Sequence, residues 1–240
     1  MPDLVTSIIP IALRWVHVLA GIIWIGHLYF FNFVNVNFEK AIDASLKKTI
    51  IPQLRPRALW WFRVGAMITM VTGVTYILWE QFVAGHAGFS NWWESGNNLW
   101  ITMGMLFGLV MWFNVWFVIW PNQKIILAGI STGNKPADFD ARVATAGKFS
   151  RINTYLSVPM LFGMLGRQSF TIPDVLVRTE ADGMRVTRPD WGPILVIMAV
   201  VIALGFATAH HFIYMLGPRV GKEFISAAPA APPPAPPPPK

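Results

Sequence analysis

Five long runs of apolar residues dominate this sequence and restrict what the chain can fold into. A helix needs about 20 mostly apolar residues to cross about 30 Å of hydrocarbon. The runs at residues 11–36, 59–82, 99–120 and 193–216 meet that length, and a fifth meets it only when it is extended to 152–170. We therefore predict an all-α integral membrane helix bundle of about five transmembrane helices, with four as the alternative.

The composition agrees with a membrane protein. Charged residues make up 13% of the chain and hydrophobic residues 54%, whereas soluble domains carry roughly 25% charged residues. The chain has no cysteine. Disulfides, iron–sulfur clusters, thiolate zinc sites and covalent c-type haem attachment are therefore excluded.

The formal net charge of +7 is unevenly distributed among the segments between the runs. Residues 37–63 carry six Lys or Arg and residues 121–152 carry five, whereas residues 80–98 carry none. This alternation follows the positive-inside rule and predicts the N-terminus outside and the C-terminus in the cytoplasm. Because the positive charge flanks the spans, we expect the partner to be the lipid bilayer and not nucleic acid.

The chain divides into two predicted regions. Residues 1–220 form the membrane helix bundle, and residues 221–240 form a tail composed mainly of alanine and proline. Such a composition cannot pack into a core and favours a disordered or polyproline II-like arm.

Four histidines fall inside the predicted spans: His17, His27, His210 and His211. Hydrocarbon penalises an ionisable side chain, so a histidine at this depth is a candidate functional residue. Neutral imidazole is also the usual axial ligand of non-covalent haem. The alternative is a structural role, in which each histidine bonds a carbonyl or amide of a neighbouring helix.

Helix geometry limits which histidines can share one haem. His17 and His27 are separated by about 15 Å along one helix and cannot ligate the same iron. The predicted orientation places His27 at a depth comparable to His210 and His211, so a b-type haem is expected between His27 and one of these two. Neighbouring side chains on a helix diverge by about 100°, so only one of them can face that iron. His17 would need another partner on the outer side, such as His86.

Three sequence blocks, at residues 14–26, 114–124 and 150–160, read RWVHVLAGIIWIG, NVWFVIWPNQK and SRINTYLSVPM. In order and spacing they resemble the bacterial membrane-bound urate hydroxylase family, whose membrane part is the urate oxidase N-terminal domain. The resemblance implies a multi-pass domain of the bacterial inner membrane. Relatives commonly carry a fused cytochrome c domain. This chain contains no CxxCH motif, so a cytochrome c partner is expected to be a separate protein.

The resemblance also implies site residues. By family position, the polar candidates for substrate contact are Asn114, Gln123, Asn153 and Tyr155. Relatives carry further histidines at three positions where this chain has other residues: Thr102, Ile152 and Gln168. His17 alone retains its place.

Three functions remain open at this point. The first is an electron-transfer or accessory subunit of a redox complex that binds haem b through the intramembrane histidines, alongside other membrane subunits or a separate cytochrome c. The second is urate oxidation that passes electrons to a separate cytochrome c. The third is a structural subunit without a cofactor. Because three histidines of the family are absent, urate oxidation is the least favoured of the three functions.

Overall fold

In a computed structural model, which describes residues 2–84, 89, 92, 96–169, 174–179 and 185–221, the chain forms a bundle of antiparallel helices. The α-helices are α1 Pro2–Tyr29, α2 Val36–Ala41, α3 Ala44–Phe82, α4 Gly96–Phe113, α5 Trp120–Thr132, α6 Phe139–Ser169 and α7 Trp191–His210. Three six-residue π-helical segments continue α1, α4 and α7: π1 Phe30–Asn35, π2 Asn114–Ile119 and π3 His211–Leu216. The predicted all-α class is confirmed.

One small β element accompanies the helices. Strands β1 Asp174–Thr179 and β2 Arg185–Pro189 pair antiparallel between α6 and α7. Val175, Val177 and Val186 are β-branched residues, which are enriched in strands, but a search for long apolar runs does not detect segments this short.

Four helical stretches are long and apolar enough to cross a membrane: Ser7–Ala41, Ala44–Phe82, Asn98–Thr132 and Trp191–Leu216. They contain the four predicted spans that met the length criterion unaided. The remaining predicted span, at 152–170, lies in α6, which is not among these four stretches. Within the described residues the apolar spans therefore number four, the alternative given by the sequence.

α6 nevertheless runs alongside the spans. It lies antiparallel to α4, with Gly163 against Gly104 and, farther along the pair, Asn153 bonded to Asn114. The hydropathy of α6 is low because the helix carries polar residues such as Asn153 and Ser157. Both are fully buried and turned towards neighbouring helices. A crossing of the bilayer by α6, and the orientation of the termini, stay predictions.

Local chemistry sets several helix boundaries. The Asp43 carboxylate caps α3 by accepting a hydrogen bond from the Ser45 amide at 2.8 Å, as N-cap residues do. The hydrogen bonds from the Ser45 hydroxyl and amide hold the pKa of Asp43 below its usual value. Asp190 caps α7 in the same way through the Gly192 amide. Gly133, with φ of 74°, ends α5 in the left-handed conformation that favours glycine.

The apolar core lies where α1, α3 and α4 meet. Leu28, Phe62 and Met111 are almost completely buried there. Gly65 permits the close approach of α1 and α3, since a Cβ atom at this position would lie 3.0 Å from the backbone nitrogen of Trp24. Packing of this kind replaces the hydrophobic effect as the main force between helices in lipid.

The three π-helical segments lie at one end of the bundle. The rings of Phe33 in π1 and Phe212 in π3 are 5.7 Å apart. Asn32 of π1 donates to Ser150 on α6, close to the point where Asn114 of π2 meets that helix. The connections rich in lysine and arginine leave this same end, which we call the basic end. The predicted tail at 221–240 lies, apart from its first residue, outside the described residues, as does His86.

Candidate functional site

His17 is held between α1 and α3. Its Nδ1 atom donates to the backbone carbonyl of Thr69 at 2.9 Å, with the Thr72 hydroxyl 3.3 Å away. Gly73 makes room for the ring, because a Cβ atom there would lie 2.8 Å from the imidazole Cε1. A carbonyl oxygen can only accept, so the proton of neutral His17 is on Nδ1 and the lone pair is on Nε2.

His27 shows the same arrangement within its own helix. Its Nδ1 atom donates to the carbonyl of Ile23 at 2.7 Å, one turn earlier in α1. The neutral ring therefore also presents Nε2 as the nitrogen with a free lone pair. Metal-ligating histidines usually show this pattern, in which one ring nitrogen is anchored and the other is left for the metal.

His210 is oriented by another helix. Its Nδ1 atom lies 3.0 Å from the Tyr155 hydroxyl of α6, and its ring packs on Tyr214 at a centroid distance of 4.8 Å. His210 and His211 are both exposed. Within the described residues, the ring of His211 contacts only the edge of Phe212. The two adjacent histidines thus differ, since only His210 has a hydrogen bond that fixes its ring.

α1, α6 and α7 converge near these residues. Tyr29 of α1 bonds Ser157 of α6 at 2.9 Å, and the Phe33–Phe212 contact joins α1 and α7. His27 lies six residues before Phe33, and His210 lies two residues before Phe212. At 1.5 Å per residue, the two histidines differ in depth by roughly 6 Å. His17 is about 15 Å farther from the basic end than His27.

The candidate substrate residues fall into two groups. Asn114 donates to the side-chain oxygen of Asn153 at 2.8 Å, and Asn153 donates to the carbonyl of Met111 at 3.0 Å. Both amides are buried and bonded to the protein, so they join α4 to α6. Tyr155 faces α7 instead, where it meets His210. The side-chain oxygen of Gln123 is buried and has no partner within the described residues.

Sequence reasoning missed the polar face of α6. Ser150, Asn153, Thr154 and Ser157 recur at the three- and four-residue spacing of one helix face. The structure bonds three of them to neighbouring helices, through Asn32, Asn114 and Tyr29. The spacing was a usable signal for a helix with a buried polar face. Within the part of the chain that the structure describes, no group of three or more His, Cys, Asp or Glu side chains is placed to hold a metal ion.

Comparison with known families gives one match. Residues 77–173 match the model of the urate oxidase N-terminal family. The resemblance to the urate oxidase N-terminal family is confirmed. The matched stretch covers less than half of the chain and includes the second and third sequence blocks, whereas the first block lies before it. No curated protein and no solved structure matches the chain.

Of the four positions at which the resemblance implies histidines, positions 17, 102 and 168 lie toward one end of the bundle, whereas Ile152 lies beside Asn153, toward the basic end. Thr102 on α4 and helix position 168 on α6 lie beyond the Gly104–Gly163 contact, at the end opposite the basic end. His17 lies at the same end, since it is 12 residues before Tyr29 in α1. Thr102 here accepts a hydrogen bond from the Trp92 indole at 2.9 Å. Of these three urate oxidase N-terminal positions, only position 17 is a histidine in this chain.

Proposed function

We propose that this chain is a membrane-embedded electron-transfer subunit of a redox complex, and that it holds a b-type haem between His27 and His210. A haem bound there would supply one-electron transfer. The chain would lie in the inner membrane of a bacterium, with other membrane subunits or a separate cytochrome c as its redox partners. The four apolar spans support the membrane location.

The proposal rests on how the imidazole rings of His27 and His210 are hydrogen-bonded. His27 donates a hydrogen bond from Nδ1–H to the carbonyl of Ile23, which leaves Nε2 with the lone pair that a metal ligand needs. Tyr155 fixes the ring of His210 from α6. We choose His210 over His211 because a ligand that is already oriented loses less conformational entropy when the cofactor binds.

The surrounding residues fit a haem site in two further respects. His27 and His210 differ in depth by roughly 6 Å, which is close to the rise of one helical turn. Their helices converge at Phe33 and Phe212. The neighbouring side chains Phe206 and Tyr214 are aromatic. Aromatic surroundings of this kind would lower the local dielectric constant around a bound haem, which is one means by which a protein tunes a haem potential.

Single histidine substitutions test this assignment. We expect His27→Ala and His210→Ala each to abolish the b-type absorbance band of the purified protein, because each removes an axial ligand. His211→Ala is the matched control, as it changes the adjacent imidazole on the same helix and should leave the band in place. Unchanged haem content in His27→Ala, in protein with an unaltered unfolding temperature, would refute the assignment.

A second candidate function is urate oxidation, which the family match favours. That reaction converts urate and water into 5-hydroxyisourate and releases two electrons and two protons, so it needs an electron acceptor such as a separate cytochrome c. The candidate residues give it less support. Asn114 and Asn153 are buried and already hydrogen-bonded within the protein, and two of the three positions at the end opposite the basic end are not histidine.

Turnover of urate distinguishes the two candidates. Purified protein with an added one-electron acceptor is expected to reduce the acceptor no faster in the presence of urate than in its absence. The control is the same protein with a chemical reductant, which should reduce a bound haem directly. Formation of 5-hydroxyisourate at a rate that depends on protein concentration would instead establish the enzyme.

A further inference from the structure

Two cations share one indole ring at the basic end of the bundle. The guanidinium carbon of Arg63 on α3 lies 3.4 Å from the centroid of the Trp120 ring, and the Nζ atom of Lys124 on α5 lies 5.6 Å from it. Arg63 also lies 5.6 Å from the ring of Trp116. Both distances to Trp120 are measured to the same point, so the two positive charges are at most about 9 Å apart.

Neither cation is paired with a carboxylate among the residues that the structure describes. The ion pairs among the described residues are Arg55 with Glu39 and Arg142 with Asp138. Arg63 and Lys124 have only aromatic partners in that part of the chain. Cation–π contacts offset part of the cost of desolvation but leave the full charge of both groups in place. Two like charges this close repel each other, and the repulsion grows as the local dielectric constant falls.

The depth of the pair coincides with the end of the apolar runs. Trp120 is the last residue of the apolar run 99–120, and Arg63 lies four residues inside the run that begins at residue 59. This is the depth at which interfacial tryptophan and lipid headgroups meet. Arg63 is half-buried and Lys124 is exposed, so the pair can be reached from outside the bundle.

We propose that Arg63, Lys124 and Trp120 form a binding site for the phosphate of an anionic phospholipid headgroup, between α3 and α5. The phosphate oxyanion would lie between the two cations and relieve their repulsion, while the acyl chains would follow the apolar surface of the helices. Basic sites between transmembrane helices recognise anionic headgroups in this way. The inference does not depend on whether the chain binds haem.

Lipid titration of the full chain in a neutral detergent tests the proposal. Phosphatidylglycerol and phosphatidylcholine with the same acyl chains are added separately, and binding is measured by native mass spectrometry. We expect phosphatidylglycerol to bind more tightly, and Arg63→Gln and Lys124→Gln each to weaken it about fivefold, which corresponds to about 1 kcal/mol per cation near a membrane surface. Binding of phosphatidylcholine should change little in either variant.

Arg57→Gln is the matched control. Arg57 is a basic residue of the same helix at the same end, but its guanidinium bonds the carbonyl of Gln53 and contacts no aromatic ring of the described residues. Its substitution should leave phosphatidylglycerol affinity within twofold of the unmodified chain. Because Lys124 is exposed, Lys124→Gln remains informative if Arg63→Gln does not fold.

Inorganic phosphate separates a lipid site from a site for a soluble anion. At the concentration at which phosphatidylglycerol saturates, free phosphate should produce no shift in the unfolding temperature. Equal stabilisation by phosphate would overturn the lipid assignment in favour of a soluble oxyanion. Equal affinity for the two lipids, or unchanged affinity in Lys124→Gln, would overturn the site itself.

Discussion

Replacing Gly163 by alanine should separate α4 from α6 and destabilise the whole bundle. A Cβ atom at Gly163 would lie 2.6 Å from the backbone nitrogen of Gly104 and 2.7 Å from the carbonyl oxygen of Trp100. Both atoms belong to the backbone, so neither can move without displacing a helix. We expect a loss near the upper end of the range for overpacking, about 3 kcal/mol, which would lower the unfolding temperature by roughly 6 °C or more.

Gly26→Ala is the control for this experiment. Gly26 also lies within a long helix, α1, but a Cβ atom there would meet nothing within 4 Å. Its substitution should leave the unfolding temperature unchanged or raise it slightly, because alanine favours the helix. The two variants are compared by thermal unfolding in one detergent. Equal unfolding temperatures for Gly163→Ala and Gly26→Ala would show that α4 and α6 do not pack as described.

Asn153→Leu should cost about 1–3 kcal/mol by leaving buried polar groups unpaired. Asn153 is completely buried, accepts from Asn114 and donates to the Met111 carbonyl. With leucine in its place, the amide of Asn114 loses its acceptor in a position that water does not reach. The effect is measured as a lower unfolding temperature, or as a lower denaturant midpoint in mild detergent.

A double-mutant cycle isolates the contact between the two amides. Asn114→Leu alone should also destabilise the bundle, since it removes the hydrogen bond donor to Asn153. The double variant should lose less than the sum of the two single variants, because no amide is then left without its partner. Strict additivity would mean that the two side chains do not interact.

The sequence was sufficient for the architecture but not for every helix. The four most apolar runs predicted their helices because a helix that crosses a bilayer must be both long enough and apolar enough. The same criterion undervalued α6, where burial of Asn153 and Ser157 among other helices takes the place of an apolar surface. Hydropathy describes contact with lipid, and a helix whose polar face is covered by protein does not need to be apolar on every side.

The histidine site was only partly predictable. The sequence identified His17 and His27 and excluded a shared iron from their spacing alone. It could not choose between His210 and His211, because the choice depends on Tyr155, which lies 55 residues away in sequence and bonds only one of them. Nor could it show that Asn114 and Asn153 bind each other, since that contact depends on how α4 and α6 pack.

The sequence patterns could not predict the π-helical segments either. An apolar run has the same composition whether its helix is α or π, so hydropathy could not locate π1, π2 or π3. Single-turn π segments occur frequently at functional sites. In this chain π3 begins at His211, directly after His210, and π1 begins three residues after His27. Both segments therefore adjoin the proposed haem ligands.

A reduced-minus-oxidised absorbance spectrum of the detergent-purified full chain, with a pyridine haemochrome assay on the same sample, tests the central claim most directly. The account predicts the α-band of a b-type haem, in amounts approaching one per chain and absent from His27→Ala. Proteins that copurify are identified from that sample. A well-folded chain with no chromophore, accompanied by stoichiometric partners, would contradict the electron-transfer assignment and favour a structural subunit.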